Sequence, residues 1–502
     1  MLLLPLLVTS LLHVALAHDA QGGKCLTDWR HDDFDVVAAP FFDEAQARLS
    51  SWSSTDKDSF AGVPVPPLEI RPLAISGPSN NRVDLTFFAD GYLQDERDKF
   101  FADAARLAED ISGNQTFNTV KPLMNFWAAF TPSKESGVGV GGKPKDTPFG
   151  LYRDGTELRG VYYAHPKVAG AACASLGDQC DYPILLGNDP LYGGLGGRFT
   201  VITPSLANGA LILRHELGHS IIGVGEEYDG GFAYFGPNAY ANLSEPVPWA
   251  RWLTHEKARV ERSVMPMQDY AWALLNTSSP WTVTFTSAGM YARHLVRFSV
   301  SGMPDASDMR VELDGEDLGQ PEAQMCNAEI LEFGDEDEFV SKPGHYSLYP
   351  TFSQTNKTTY RPTNEDCLMR QVTTPNFCKV CIEGLWLALL QDVSLIDDIT
   401  MTACSSLSSS SAINPEPKLT TLRLHLVPLA HLRTVPAPPE VTESYSITWS
   451  KDGEVLHELA NKTEVYVEQG RYAVEVQYKT SEVRVDREGR LGAREEVTVE
   501  CA

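Results

Sequence analysis

After residue 17 the sequence has no apolar run approaching the ~20 residues a helix needs to cross a bilayer, so no later membrane span is expected. Nor is there an excess of base. Lys and Arg number 41 against 67 Asp and Glu, and the formal net charge of −26 argues against nucleic acid and anionic membrane surfaces as partners. No hydrophobic tail of the kind a lipid anchor requires precedes Cys501-Ala502. Despite 38 glycines and 32 prolines, no stretch is biased enough to read as disordered throughout, and a hydrophobic content of 43 % is that of a folded chain. What is there is length. At 502 residues the chain exceeds one compact core and predicts two or three units.

The first 17 residues form a short apolar stretch ending in Ala15-Leu16-Ala17, the small-x-small pattern that precedes signal cleavage, although a basic start is missing. Five sequons, at Asn114, Asn242, Asn276, Asn356 and Asn461, point the same way. So do nine cysteines, with Cys173–Cys180 and the cluster Cys367, Cys378, Cys381 as local disulfide candidates and one cysteine necessarily left over. The expectation is a secreted, extracellular, soluble glycoprotein, taken as a monomer.

Residues 18–66 are polar, Pro-rich in places and without periodicity, which reads as an arm or propeptide-like segment. A folded unit over 67–403 follows. Val83–Ala89 has strand composition, and Phe100, Phe101, Ala104, Leu107 and Ile111 recur at helical spacing, so the unit opens as α/β. Two further strands are predicted at 181–187 and 198–203, separated by the glycine-rich stretch 192–197. An apolar helix pattern then runs from Leu206 to Val224 and stops at Gly225. Residues 295–355 turn β-like, as an insertion. A serine run and Pro415-Glu-Pro mark a linker over 404–420. Beyond it, 421–502 alternates strongly and reads as a small β-sandwich of immunoglobulin type.

Chemistry concentrates in His215-Glu216-Leu217-Gly218-His219. Histidines at i and i+4 share one helix face, so both imidazoles can reach one zinc ion, and Glu216 beside them suits a general base that moves a proton from water to a leaving amine. Two histidines merely hydrogen-bonded on a buried face would give the same spacing. The surrounding helix is apolar, however, and a polar cluster there must be satisfied. A third ligand is required, and Gly223 and Gly225 let the chain turn so that Glu226, or alternatively Glu227, completes the set with the fourth position left to water. The glycines at 192–197 suit either a flexible turn or a strand edge that binds extended peptide by its main chain. Gly137–Lys143 imitates a phosphate loop, but Pro144 stands where Ser or Thr would be needed, and it reads as a plain loop. For Cys378-x-x-Cys381, disulfides are expected over a redox pair or half of a structural zinc site.

These segments together resemble the IgA peptidase family of zinc metallopeptidases. The resemblance is carried by HELGHSIIGVGEEYD at 215–229, NDPLYGGLGG at 188–197, RVDLTFFADGY at 82–92, FTPSKESGVG at 130–139, YRPTNEDCLMR at 360–370 and FCKVCIEGL at 377–385, in order over about 67–400. It implies an α/β (α+β) metzincin-like zinc peptidase domain with the β-rich insertion, followed by the C-terminal β-sandwich. It also implies one zinc held by His215, His219 and a third residue, with Glu216 as base and polypeptide as substrate. Met369 is the candidate for the methionine turn beneath the metal. The family more often has aspartate at the position of Glu226 with glutamate following, as Glu227 does here, so Glu226 comes first and Glu227 second as third ligand. Two other functions compete: a catalytically silent extracellular binding protein on the same fold, and a zinc hydrolase of a non-peptide bond.

Overall fold

The computed structural model describes the backbone of residues 9–16 and, from 60 to 501, all residues except 61, 114, 154–159, 192, 207, 229–232, 262–277, 287–294, 301–308, 320–328, 335–342, 354–356, 371–375, 404 and 407–417. The expected arm, 18–66, thus lies almost wholly outside the described residues, as do the sequons at Asn114, Asn276 and Asn356 and most of the serine-rich linker. Asn242 and Asn461 are exposed.

The fold is mixed α/β with few helices and several sheets. Its centre is a six-stranded sheet built from β1 (Glu69–Ala74), β2 (Val83–Asp90), β3 (Met124–Phe130), β4 (Tyr182–Gly187), β5 (Gly194–Leu195) and β6 (Thr200–Ile202), in the order β1-β3-β2-β4-β6-β5. The four inner strands run parallel, and β1 and β5 close the two edges antiparallel. Every residue of β2 and β4 is buried, as expected for parallel strands covered on both faces. Alternate residues serve alternate faces. Leu85, Phe87, Ile184, Leu186 and Ile202 join one apolar cluster, while Phe88, Leu185 and Val201 join another with Phe149 and Phe199.

Helix α1 (Arg97–Gly113) covers the first face with Phe100, Ala104, Leu107 and Ile111, at the spacing seen in the sequence. The second face carries α2 (Pro166–Ala174), whose Cys173 is disulfide-bonded to Cys180 as the local spacing suggested. Helix α3 (Gly209–Leu217) follows β6 and continues as a π turn over Gly218–Ile222. It ends at Gly223, two residues before the predicted stop. Gly223 takes a left-handed conformation (φ 68°) that halts the helix. Helix α4 spans Lys379–Leu389.

Strands at Leu295–Val300, Met309–Leu313, Glu316–Gly319, Glu329–Gly334 and Tyr349–Phe352 fall in the range read as a β insertion. Trp281–Thr286 adds a strand ahead of that range, and Thr9–Leu16 of the N-terminal apolar stretch pairs between it and Met309–Leu313. Among the described residues no helix is long and apolar enough to cross a membrane.

The C-terminal strands are β7 (Ile396–Met401), β8 (Lys418–Leu426), β9 (Glu443–Lys451), β10 (Glu464–Val467), β11 (Gly470–Thr480) and β12 (Gly492–Val499). β8 lies between β7 and β10, and β11 between β9 and β12. The sheet therefore starts before the linker, since β7 precedes residue 404. These strands also share the main apolar cluster with the central sheet. The fully buried Glu383 of α4 fastens the join, accepting hydrogen bonds from Arg251 Nε (2.5 Å), Trp252 Nε1 (2.7 Å) and the backbone N–H of Arg484 (2.8 Å) and Val485 (3.0 Å).

Candidate metal centre

Helix α3 follows β6 after a connection of six residues, 203–208. Its inward face is apolar through Ile212, Leu213 and Leu217, and this burial fixes the rotation that turns His215 and His219 to one place. The two rings are nearly perpendicular, with Nε2 atoms 3.2 Å apart. His215 Nδ1 lies 3.2 Å from Leu368 O, and His219 Nδ1 lies 2.8 Å from Val224 O. An Nδ1–H donated to each carbonyl leaves both Nε2 lone pairs directed at one another. Such a pair is repulsive unless a proton or a cation stands at its focus, and a backbone carbonyl behind each ring is the usual support of a metal-binding histidine.

Glu226 supplies the third group. Its Oε1 is 3.1 Å from His219 Nε2 and its Oε2 is 3.3 Å from His215 Nε2, with the side chain only 13 % exposed. Oε2 is buried without a hydrogen bond of its own. Burial works against charge on all three residues, yet their mutual attraction outweighs it: Glu226 is held far below the ordinary carboxylate range, and its charge raises His215 and lifts His219 to about 9. Two imidazole nitrogens and a carboxylate fit zinc.

The loop that delivers Glu226 is braced at its backbone. Gly225 N–H donates to Phe235 O (2.9 Å) and Glu226 N–H to Ala233 O (2.7 Å). A Cβ on Gly225 would stand 2.5 Å from Phe235 N, so glycine is required for this close approach. The buried Asn238 completes the brace, with Nδ2 donating to Gly225 O (2.9 Å) and Oδ1 accepting from Gly225 N–H (3.1 Å). Thirteen residues separate Asn238 from Gly225, and nothing in the local pattern announces it.

Glu227 goes elsewhere. Its Oε1 accepts from Asn238 Nδ2 (2.9 Å) and lies 4.0 Å from Cys381 Sγ, so it joins a cysteine cluster, not the two histidines. Cys367, Cys378 and Cys381 are buried free thiols, and the disulfides expected for them do not form. The segment carrying Cys367 also passes under the histidines, where Met369 Sδ is 3.0 Å from the point a Cβ on Gly218 would occupy.

Glu216, half-buried, points along the sheet edge. A Cβ on Gly194 would lie 2.9 Å from Glu216 Oε1, and one on Gly196 would lie 3.0 Å from Oε2 and 2.7 Å from His219 Cβ. The glycine-rich stretch is therefore the edge strand β5 and its continuation, kept bare to admit the Glu216 carboxylate. Ser220 ties the two together, its Oγ 2.7 Å from Thr200 Oγ1 and accepting from Gly197 N–H at 3.3 Å.

A family model described as IgA Peptidase M64 matches residues 71–389, well over half of the chain. Comparison with curated proteins gives no match.

Proposed function

Since the chain belongs to the IgA peptidase M64 family of zinc metallopeptidases, we propose that it is a secreted, zinc-dependent endopeptidase whose metal is held by His215, His219 and Glu226 and whose general base is Glu216. One observation carries the assignment: His215 Nε2, His219 Nε2 and the Glu226 carboxylate meet within 3.1–3.3 Å of one another, with both histidine Nδ1 atoms on backbone carbonyls. A bound zinc supplies Lewis-acid polarisation of a carbonyl and lowers the pKa of water that touches it.

The chain's own residues account for the rest. Glu216 sits one helical position from His215 and beside β5, where it can take a proton from an attacking water and return it to the departing amide nitrogen. β5 is the last strand of its sheet, with only an isolated bridge between Gly194 and Gly160 beyond it among the described residues. An extended polypeptide adding to this edge would lie alongside Glu216, which favours cleavage within a chain. The sheet core is read as metzincin-like, with Met369 as the methionine beneath the histidines, and the strands β7–β12 as a sandwich. Secretion rests on the leader ending at Ala17, on exposed sequons at Asn242 and Asn461, and on the Cys173–Cys180 disulfide.

The test is a purified protein with its zinc quantified, assayed as wild type and Glu216→Ala on a mixed peptide library. We expect metal in both and a fall of at least ~10²-fold in cleavage for the variant, within the range that general acid–base catalysis contributes. Equal cleavage by both proteins would remove Glu216 from the mechanism. Metal-loaded protein that cleaves no peptide would favour a silent binding protein or a hydrolase of another bond.

A further inference from the structure

Behind the histidines lies a second cluster of ligand-type side chains. Cys367, Cys378, Cys381 and Glu227 are all fully or nearly fully buried, and one donor atom from each lies within 4.8 Å of the others. Cys381 Sγ is 3.8 Å from Cys367 Sγ and 3.8 Å from Cys378 Sγ. A tetrahedral zinc with Zn–S of about 2.3 Å sets its sulfurs roughly 3.8 Å apart, whereas a disulfide would bring two of them to about 2.05 Å. Glu227 Oε2 is buried and has no hydrogen-bond partner, an expensive state for a carboxylate oxygen unless something else satisfies it. The Cys378 N–H also donates to Cys367 Sγ (3.4 Å), a contact that supports negative charge on that sulfur.

We propose that Cys367, Cys378, Cys381 and Glu227 bind a second zinc ion, a closed structural site distinct from the one at His215 and His219. Four protein ligands leave no open position, which is the mark of a structural site. The metal displaces the thiol protons to solvent as it binds.

The connectivity gives this zinc a task. Glu227 follows Glu226 directly, and its N–H donates to Met369 O (3.0 Å). Cys367 precedes Leu368, whose carbonyl faces His215 Nδ1. Cys378 caps the start of α4. One ion would thus pin the loop presenting Glu226 to two later pieces of chain, the strip supporting His215 and the helix carrying Glu383, with Glu227 and Cys381 154 residues apart. It would also keep three close thiols from oxidising in a compartment that forms the Cys173–Cys180 disulfide.

The test is metal content of the full-length protein, purified without chelator, as wild type, as a His215→Ala/His219→Ala double variant and as Cys378→Ser/Cys381→Ser. About two zinc ions per chain are expected in the wild type and about one in the histidine variant, released by an organomercurial thiol reagent. Cobalt loaded into the histidine variant should show thiolate-to-cobalt charge-transfer absorption. This result stands whether or not the chain is a peptidase, and it survives if the cysteine variant fails to fold. A histidine variant that retains no metal and gives no such band would overturn the proposal. So would a Cys378–Cys381 or Cys367–Cys381 disulfide in the mass spectrum of the native protein.

Discussion

Glu226 and Glu227 are consecutive residues whose carboxylates serve different clusters: Glu226 Oε1 is 3.1 Å from His219 Nε2, while Glu227 Oε1 takes the Asn238 amide at 2.9 Å and neighbours Cys381. Their backbones are held by different segments, the Glu226 N–H by Ala233 O at 2.7 Å and the Glu227 N–H by Met369 O at 3.0 Å. Asn238 bridges both, through Gly225 on one side and Glu227 on the other.

Asn238→Ala should therefore loosen the loop that presents Glu226. Outer residues that orient metal ligands are typically worth ~10–100-fold in affinity, and a loss of that size is expected in zinc competition against a chromophoric chelator. Asn238→Asp keeps the acceptor for Gly225 N–H and should fall between the two. Unchanged zinc affinity in a folded Asn238→Ala protein would mean that the loop is held by its backbone bonds alone.

The pH behaviour of metal-stripped protein follows from the same three groups. The Glu226 charge, overcoming burial, lifts His219 from 6.5 to about 9, so this contribution to stability is fully present below 6.5 and fades as pH rises through about 9. Glu226 is depressed from 4.5, so its contribution is present above 4.5 and fades as pH falls below that value. Melting temperatures of stripped protein should be highest near pH 4.5–6.5 as far as these groups decide, and should decline toward 9. Zinc-loaded protein should lack that decline, and parallel curves for the two forms would contradict the coupling.

Glu383→Ala leaves a guanidinium, an indole N–H and two backbone amides without their acceptor in a buried place. Breaking a buried charged network this way costs about 3–5 kcal/mol, and denaturant melts should show a loss of that order. Glu383→Gln, which keeps the shape, should lose less. A loss below ~1 kcal/mol for the alanine variant would show the join between α4 and the C-terminal strands to be unimportant.

At the edge strand, Gly194→Ala places a methyl 2.9 Å from Glu216 Oε1 and 2.7 Å from Ile212 Cγ2. Displacing a catalytic group by about 1 Å can cost ~10²-fold, and kcat/KM should fall by about that much while zinc content and circular dichroism stay as in wild type. Activity at the wild-type level would place the working position of Glu216 away from this strand.

Local signals in the sequence are those the structure returns most faithfully. The run from His215 to His219 and the burial period of Phe100 to Ile111 depend on neighbours three or four residues away, and both are legible without a fold. The apolar pattern puts the helix end at Gly225, whereas the structure ends it at Gly223. Only the left-handed φ at Gly223 and the tight approach of Phe235 to Gly225 separate a stop from a crossing. Only the family resemblance puts Glu226 ahead of Glu227; the residues alone leave the choice open, because it depends on Asn238 and Met369, which no period links to the motif. The cysteines at 367, 378 and 381 invited disulfides on grounds of compartment. Their three-way spacing with Glu227 needs α4 and the loop after α3 to meet in space. Strand β7 was hidden for a simpler reason: its six residues include Asp397 and Asp398, and alternation that short does not stand out.

That strand changes what a break in the chain would mean. Met401 pairs with Leu422 and Ile396 with Leu426, so the polypeptide on either side of residues 407–417 is laced together by a ladder of backbone bonds. Cutting there would sever the covalent thread and leave the fabric whole. Cys501 is disulfide-bonded and every other cysteine lies before the cut, so the molecule would elute as one particle and separate into two pieces only when denatured and reduced; the C-terminal strands behave as a clasp on the catalytic half, not as a passenger.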